Sequence, residues 1–176
     1  MITNLVLFKV VWALSLYGVI SNWPSLGPLA LIAFVLCHAW LAPTVKADFM
    51  VAMIAMAVGL LLDTLYLRVG LIAYNGNEFW SGAAPLWIIA LWANFALTMN
   101  GCLAWLQDRR WLASFLAFIS GPLSYVGGIA LGVATVTGDA WLLYATIGIA
   151  WAITVPVLLS TATQFSRRFH PELHPA

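Results

Sequence analysis

Long apolar runs alternate with short polar or turn-forming segments along the whole chain. A membrane-spanning helix needs about 20 mainly apolar residues, and six segments meet this requirement. The predicted spans are residues 3–20, 25–43, 49–67, 85–106, 111–136 and 141–163. The pattern therefore predicts an all-α integral membrane protein: a bundle of six transmembrane helices in residues 1–166, followed by a short cytoplasmic tail, residues 167–176.

The composition excludes an ordinary water-soluble domain. The chain is 64% hydrophobic and 7% charged, whereas soluble domains are about 45–50% apolar and about 25% charged. With a net charge of +1 and no basic tract, it has no electrostatic attraction to nucleic acid. We therefore expect membrane lipids as its surroundings. Its candidate protein partners are another membrane protein or a second copy of the chain.

The basic residues predict the orientation of the spans. Arg109 and Arg110 lie in the fourth connection, and Arg167 and Arg168 lie in the tail. Two spans separate these pairs, so both fit the cytoplasmic face, which is normally rich in Lys and Arg. This distribution predicts that both chain termini are cytoplasmic, with Arg68 on the outer side.

Asp63 is the most informative single residue, because it follows the apolar run MVAMIAMAVGLLL within the third span. A charge at the bilayer centre costs about 2.5–3.5 kcal/mol on insertion scales, and such residues often mark a pathway or a site. Three interpretations are open. Asp63 pairs with a polar neighbour or with Arg68, it is a proton or substrate site, or it lies near the outer interface because the span is drawn too long.

Polar and small residues follow one face of the fourth span. Asn94, Thr98 and Gly101 are spaced i, i+4 and i+7, which places them on one side of a helix. This face either packs against a neighbouring helix through modest hydrogen bonds or lines a polar site opposite Asp63.

The segment FISGPLSYVGG, residues 118–128, interrupts the fifth span with a helix breaker and hydroxyl groups. Strict i+4 steps relate the members of a small-residue stripe, which we expect to let another helix approach closely: Ser120, Ser124, Gly128 and Gly132. Tyr125 lies about 100° away from Ser124 on the helix. Its hydroxyl needs a partner, and its depth matches that of Asp63 and Asn94.

The remaining chemistry is sparse. Lys9 and His38 are predicted at similar depth near the cytoplasmic face, where they could bind an anionic lipid headgroup or act only as interfacial residues. We find no motif for a hydrolase, a nucleotide site or a metal centre, so we expect no metal, no cofactor and no assigned catalytic residue. Residues 68–84 form the longest connection, which is a loop, an interfacial helix or an extension of the third span.

In the segments PLWIIALWANFALTMNGCLAWL and GPLSYVGGIALG, the chain resembles a family of small bacterial inner-membrane proteins of unknown function, mainly proteobacterial. The resemblance covers nearly the whole chain. It implies a location in the bacterial inner membrane and favours a lipid as ligand, but it supplies no catalytic residue.

Three functions compete. The first is a small transporter or lipid-handling protein, with an intramembrane cavity lined by Asp63, Asn94, Thr98, Ser124 and Tyr125. The second is a structural or accessory subunit of a membrane complex, in which the same residues serve helix association. The third is an integral membrane enzyme acting on a lipid, with Asp63, His38 and Tyr125 as its acid–base groups.

Overall fold

Helices dominate the computed structural model, which describes residues 2–76 and 82–173. The α-helices within these residues are α1 (Ile2–Ile20), α2 (Leu26–Leu41), α3 (Val45–Arg68), α4 (Leu86–Ala96), α5 (Arg110–Ala130) and α6 (Ala140–Phe169). The other described elements are strands β1 (Ile72–Tyr74) and β2 (Ala134–Val136) and the 3-10 turns Ala104–Leu106 and Pro171–Leu173. The predicted all-helical fold is therefore confirmed, with a small two-stranded addition.

Each predicted span contains a helix, but the helices differ in length. Among the described residues, α1, α3, α5 and α6 are long and apolar enough to cross a membrane. Helices α2 and α4 are apolar but have 16 and 11 residues, below the lower limit of about 17 for a span. The structure thus supports a membrane-embedded protein with four described helices long and apolar enough to span, while six full spans stay a prediction.

The fourth helix is shorter than the predicted span 85–106, because α4 ends at Ala96 and turns come after it. The side chain of Asn4 on α1 satisfies this irregular backbone. Its amide nitrogen donates to the carbonyl of Leu97 at 3.0 Å, and its oxygen accepts from the backbone nitrogen of Cys102 at 3.2 Å. Irregular backbone is tolerated at membrane depth only where the protein satisfies its polar groups, and hydropathy cannot detect such a partner.

The predicted span 111–136 is wrong at its C-terminal end. Helix α5 ends at Ala130, and Gly132 turns the chain with a φ of 77°, a left-handed conformation that glycine adopts readily. Strand β2 then pairs antiparallel with β1, with Ile72 opposite Val136 and Tyr74 opposite Ala134. The described part of the 68–84 connection therefore contains a strand, not an extension of α3 or an interfacial helix; residues 77–81 lie outside the described residues.

Successive helices run in alternating directions, which gives the molecule two different ends. At one end, the ammonium group of Lys46 at the start of α3 lies 4.4 Å from the ring centroid of Phe169 at the end of α6. We call this the basic end, since the arginines of the α4–α5 connection and of the α6 terminus also lie there. The opposite end, with β1, β2 and Arg68, is the strand end. Which end faces the cytoplasm stays a prediction.

Glycines allow α5 and α6 to approach closely. A Cβ atom added at Gly121 would lie 2.6 Å from Cγ of Trp151, and one added at Gly148 would lie 3.1 Å from the carbonyl oxygen of Phe118. Pro122 inside α5 cannot donate to that same carbonyl, because proline has no backbone N–H. The proline and the close helix contact therefore lie side by side on α5, and the lack of a side chain at Gly121 leaves room for Trp151.

We expect Gly121→Ala to lower the free energy of unfolding by about 1–3 kcal/mol, because the added methyl group overpacks against Trp151. Gly127→Ala is the matched control on the same helix, since no atom outside its own helix and neighbours would come within 4 Å of the added Cβ. Thermal unfolding of the two purified variants in one detergent checks this. Equal midpoints would contradict the close packing at Gly121.

Candidate functional site

Asp63 is fully buried, at 0% exposure, and hydrogen bonds from three separate elements hold its carboxylate. The hydroxyl groups of Tyr74 on β1 and Tyr125 on α5 donate to Oδ1 at 2.6 and 2.5 Å. The indole nitrogen of Trp92 on α4 donates to Oδ2 at 2.7 Å. We call these four residues the Asp63 site. Of the two partners at matching depth, Asp63 and Asn94, the Tyr125 hydroxyl contacts Asp63.

Local sequence features position each donor of the Asp63 site. Gly59 lies one turn before Asp63 on α3, and a Cβ atom there would overlap Cδ1 of Trp92, so only glycine leaves room for that indole. Tyr74 is the last residue of β1, and its pairing with Ala134 on β2 positions the backbone from which its side chain extends to Asp63. Tyr125 lies three residues after Pro122 on α5.

No Lys or Arg pairs with Asp63 among the described residues. Arg68 instead donates from Nε to the carbonyl oxygen of Gly82, so the Asp63–Arg68 pairing is not observed. Burial, and next the nearby carboxylate of Asp63, raise the pKa of Tyr74 far above its ordinary value. Tyr74 therefore keeps its proton and serves as a donor, and neutral groups provide the described hydrogen bonds to the Asp63 carboxylate.

A cavity of about 470 Å³ lies directly beside the Asp63 site. Aromatic side chains from α1, β1, α4, α5 and α6 form much of its lining: Phe8, Trp12, Tyr74, Trp87, Trp92, Phe95, Tyr125 and Trp151. Lys9, Ser120 and Ser124 add polar groups. Asp63 is not itself in the lining, but its three donors Tyr74, Trp92 and Tyr125 are. These rings separate the carboxylate from the cavity, and we call the aromatic part of the lining the aromatic wall.

Four of the aromatic rings follow one another through the cavity wall. Ring centroids are 6.4 Å apart for Phe8 and Phe95, 5.4 Å for Phe95 and Trp151, and 5.2 Å for Trp151 and Trp92. These separations suit the offset or tilted arrangements that aromatic pairs prefer. The row ends at Trp92, whose indole holds Asp63, and so connects the start of α1 to the buried carboxylate.

The structure brings only some of the sequence-derived site residues together. Tyr125 and Ser124 line the cavity, but Asn94 and Thr98 do not. The amide of Asn94 donates to the carbonyl of Phe8 at 3.0 Å, and the hydroxyl of Thr98 donates to the carbonyl of Phe95 at 2.5 Å. Both side chains are buried and bond to backbone. Asn94 reaches α1, whereas Thr98 lies after the end of α4 and bonds to the last turn of that helix.

The small-residue stripe on α5 does not form the helix–helix interface that was expected of it. Ser120 and Ser124 are exposed, and they line the cavity together with Gly128. Gly132 lies beyond the end of α5 and is also exposed. The buried small residues of α5 are instead Ala113, Ala117, Gly121 and Gly128. The stripe and this buried face share Gly128, since they are neighbouring faces of one helix.

Lys9 and His38 do not meet. Lys9 lies at the edge of the cavity, with its ammonium group 5.4 Å from the ring centroid of Phe8 and 6.0 Å from that of Trp12. His38 is buried near the C-terminal end of α2, where its Nε2 lies 2.8 Å from Oδ2 of Asp48. A shared headgroup site for the two residues therefore receives no geometric support.

A second buried polar group, the Asp48 cluster, was missed by sequence reasoning. It ties α2 and α3 to the irregular segment after α4, and its members are His38, Thr44, Asp48, Asn100 and Gln107. Thr44 donates to Oδ2 of Asp48 and Asn100 donates to Oδ1, both at 2.8 Å. Gln107 donates to Asn100, also at 2.8 Å. The i, i+4 spacing of Thr44 and Asp48 is the available signal, but hydropathy marks both residues only as part of a polar break between spans.

No group of three or more His, Cys, Asp or Glu side chains within the described ranges could hold a metal ion. The carboxylates of Asp63 and Asp48 have hydrogen-bond partners from the protein: uncharged donors in the Asp63 site, and uncharged donors together with His38 in the Asp48 cluster. They define a membrane-embedded helical protein with a carboxylate-centred site beside an aromatic cavity.

The chain belongs to the family described as "Protein of unknown function (DUF2878)", whose model matches residues 1–157. Neither the curated proteins nor the solved structures yield a match. The matched range contains the Asp63 site, the cavity-lining residues and the Asp48 cluster, so both centres lie within the family region. The family description carries no activity.

We expect Tyr125→Phe to destabilise the protein by about 1–2 kcal/mol, because Asp63 loses one donor within the membrane-embedded bundle. Tyr17→Phe is the control, since Tyr17 is 60% exposed. Unfolding midpoints of both variants, with a double-mutant cycle through Asp63→Asn, check the pairing. A coupling energy of zero between positions 63 and 125 would contradict it.

We also expect Asp48→Asn to lower the unfolding free energy by about 1–3 kcal/mol, because an amide nitrogen would face other buried donors. Asp108→Asn provides a matched change at an exposed aspartate of the following connection. Thermal unfolding in the same detergent measures both. If the two variants unfold at the same temperature, the Asp48 cluster does not stabilise the basic end.

Proposed function

We propose that the protein binds a hydrophobic or amphiphilic small molecule in this cavity, as a small transporter or lipid-handling protein of the bacterial inner membrane. The observation that carries the proposal is the double role of Tyr74, Trp92 and Tyr125, which hold Asp63 and also line the cavity. Ligand pockets commonly measure about 300–1,000 Å³ and combine an apolar lining with a few placed polar groups. The cavity, at about 470 Å³, fits this description.

The cavity is partly open between α1 and α5. Leu123 on α5 belongs to the lining and is 61% exposed, and Lys9 on α1 is also exposed. Helix α1 packs against α2 and α4, whereas α5 packs against α6. The mouth therefore lies on the side of the bundle, among surfaces that are themselves apolar. A lipid-soluble ligand could enter there from the membrane without crossing water.

The positions of the candidate acid–base groups support a binding function better than an enzymatic reaction on a lipid. His38 belongs to the Asp48 cluster near the end of α2, while Asp63 and Tyr125 belong to the Asp63 site. The three candidate acid–base groups thus lie in two separate hydrogen-bonded centres. For the orientation, we propose that the basic end faces the cytoplasm, with both termini inside, because Lys and Arg favour that side.

We expect Ser120→Phe to reduce the amount of co-purifying ligand severalfold, because the new ring would fill space at the cavity lining. Ile119→Phe is the matched control, since the neighbouring Ile119 is 43% exposed and outside the lining. Native mass spectrometry of gently extracted protein measures bound small molecules and lipids. Unchanged ligand content in Ser120→Phe, or absence of any specific ligand in the unmodified protein, would contradict the proposal.

A further inference from the structure

The carboxylate of Asp63 has no positive counterpart within the described residues. It is fully buried and accepts its hydrogen bonds from two phenols and one indole. Such donors stabilise an ionised carboxylate, but they leave its negative charge uncompensated. Buried charges in proteins are normally paired, and attraction between charges is strong where the dielectric constant is low. A positive charge brought into the neighbouring cavity would compensate this carboxylate.

The space next to Asp63 is suited to a particular kind of cation. Its walls present indole, phenol and phenyl rings, and the faces of such rings attract ammonium groups within about 6 Å. An inorganic cation would need oxygen ligands, whereas the lining offers few, including the hydroxyl groups of Ser120 and Ser124. An organic ammonium with apolar substituents matches both the rings and the apolar lining.

The chain itself provides an example of this contact. The ammonium group of Lys9 lies within reach of the rings of Phe8 and Trp12, both of which line the cavity. Lys9 makes no ion pair with Asp63. The row of rings from Phe8 to Trp92 continues inward from Lys9 to the donor of the carboxylate. The aromatic wall thus accepts an ammonium at its outer end and leaves the inner end beside Asp63 without one.

We infer that the ligand of the cavity is a lipophilic organic cation, a substituted ammonium whose charged centre lies against the rings in front of Asp63. This inference rests on the proposed function, because it names the chemical class of the molecule that the cavity binds. The apolar substituents occupy the rest of the cavity and extend toward the mouth between α1 and α5. Free amines and lipids with an ammonium headgroup share this chemistry.

Equilibrium dialysis of the full chain in phosphatidylglycerol nanodiscs tests the charge requirement directly. The probes are phenyltrimethylammonium, its neutral carbon isostere tert-butylbenzene, and the anion phenylphosphonate, with empty nanodiscs as the blank. We expect the cation to bind at least about tenfold more tightly than the neutral isostere, since a desolvated ammonium over aromatic rings contributes strongly. Competition by added phosphatidylcholine would assign the site to a lipid headgroup, and lack of competition to a free amine.

Two variants separate the carboxylate from the cavity. Asp63→Asn should lower the affinity for the cation much more than the affinity for tert-butylbenzene, and Asp108→Asn should alter neither. Should Asp63→Asn fail to fold, Lys9→Gln gives an independent result. Removing the competing ammonium at the mouth should then strengthen binding of the cation severalfold, and by more than any change in binding of the neutral probe.

The possible failures are distinguishable. Equal binding of the cation and the neutral isostere would overturn the cation inference and leave the proposed cavity function intact. Tighter binding of phenylphosphonate would also overturn it and would assign the charge recognition to Lys9. Weaker cation binding in Lys9→Gln would overturn it as well, because removal of a positive charge should favour a cation. Absence of binding by all three probes, together with absence of a co-purifying ligand, would overturn the proposed function itself.

Discussion

The buried carboxylate of Asp63 is the constraint on which the middle of the structure depends. Placing a charged group inside a membrane is costly, and the cost is reduced only if donors surround it in a fixed geometry. Here the donors come from β1, α4 and α5. One side chain therefore connects three elements whose donors lie 11, 29 and 62 residues away in sequence. The pair of strands takes part because β1 carries Tyr74.

The need to give buried polar groups hydrogen-bond partners also explains the polar contacts at the basic end. Helix α4 stops after 11 residues, which exposes carbonyl and amide groups that no water can satisfy within a membrane. Asn4 bonds to this backbone, and Asn100 and Gln107 connect the next segment to Asp48. Polar side chains in this apolar chain thus serve mainly to compensate other polar groups. The Asp63 site differs, because its partners also face an open cavity.

Hydropathy and helical depth were sufficient to predict part of the fold and part of the site. Counting residues along the spans located the apolar helices and placed Tyr125 at the depth of Asp63 and Asn94, without deciding between these two partners. Tyr74 and Trp92 could not be found in this way. Tyr74 lies on a strand formed by pairing with residues 60 positions away, and Trp92 reaches Asp63 only because Gly59 leaves space for it. The ends of α4 and α5 were missed because the non-helical residues after them are still mainly apolar.

The position of Asp63 behind its donors determines how it can act on a ligand. The carboxylate has no exposed surface, so a molecule in the cavity meets rings and hydroxyl groups before it meets the charge. Direct proton transfer to such a molecule would have to pass through Tyr74 or Tyr125, and burial beside Asp63 opposes ionisation of Tyr74. An electric field needs no contact and is weakly screened in an apolar cavity. The geometry therefore favours recognition of charge over chemical transformation.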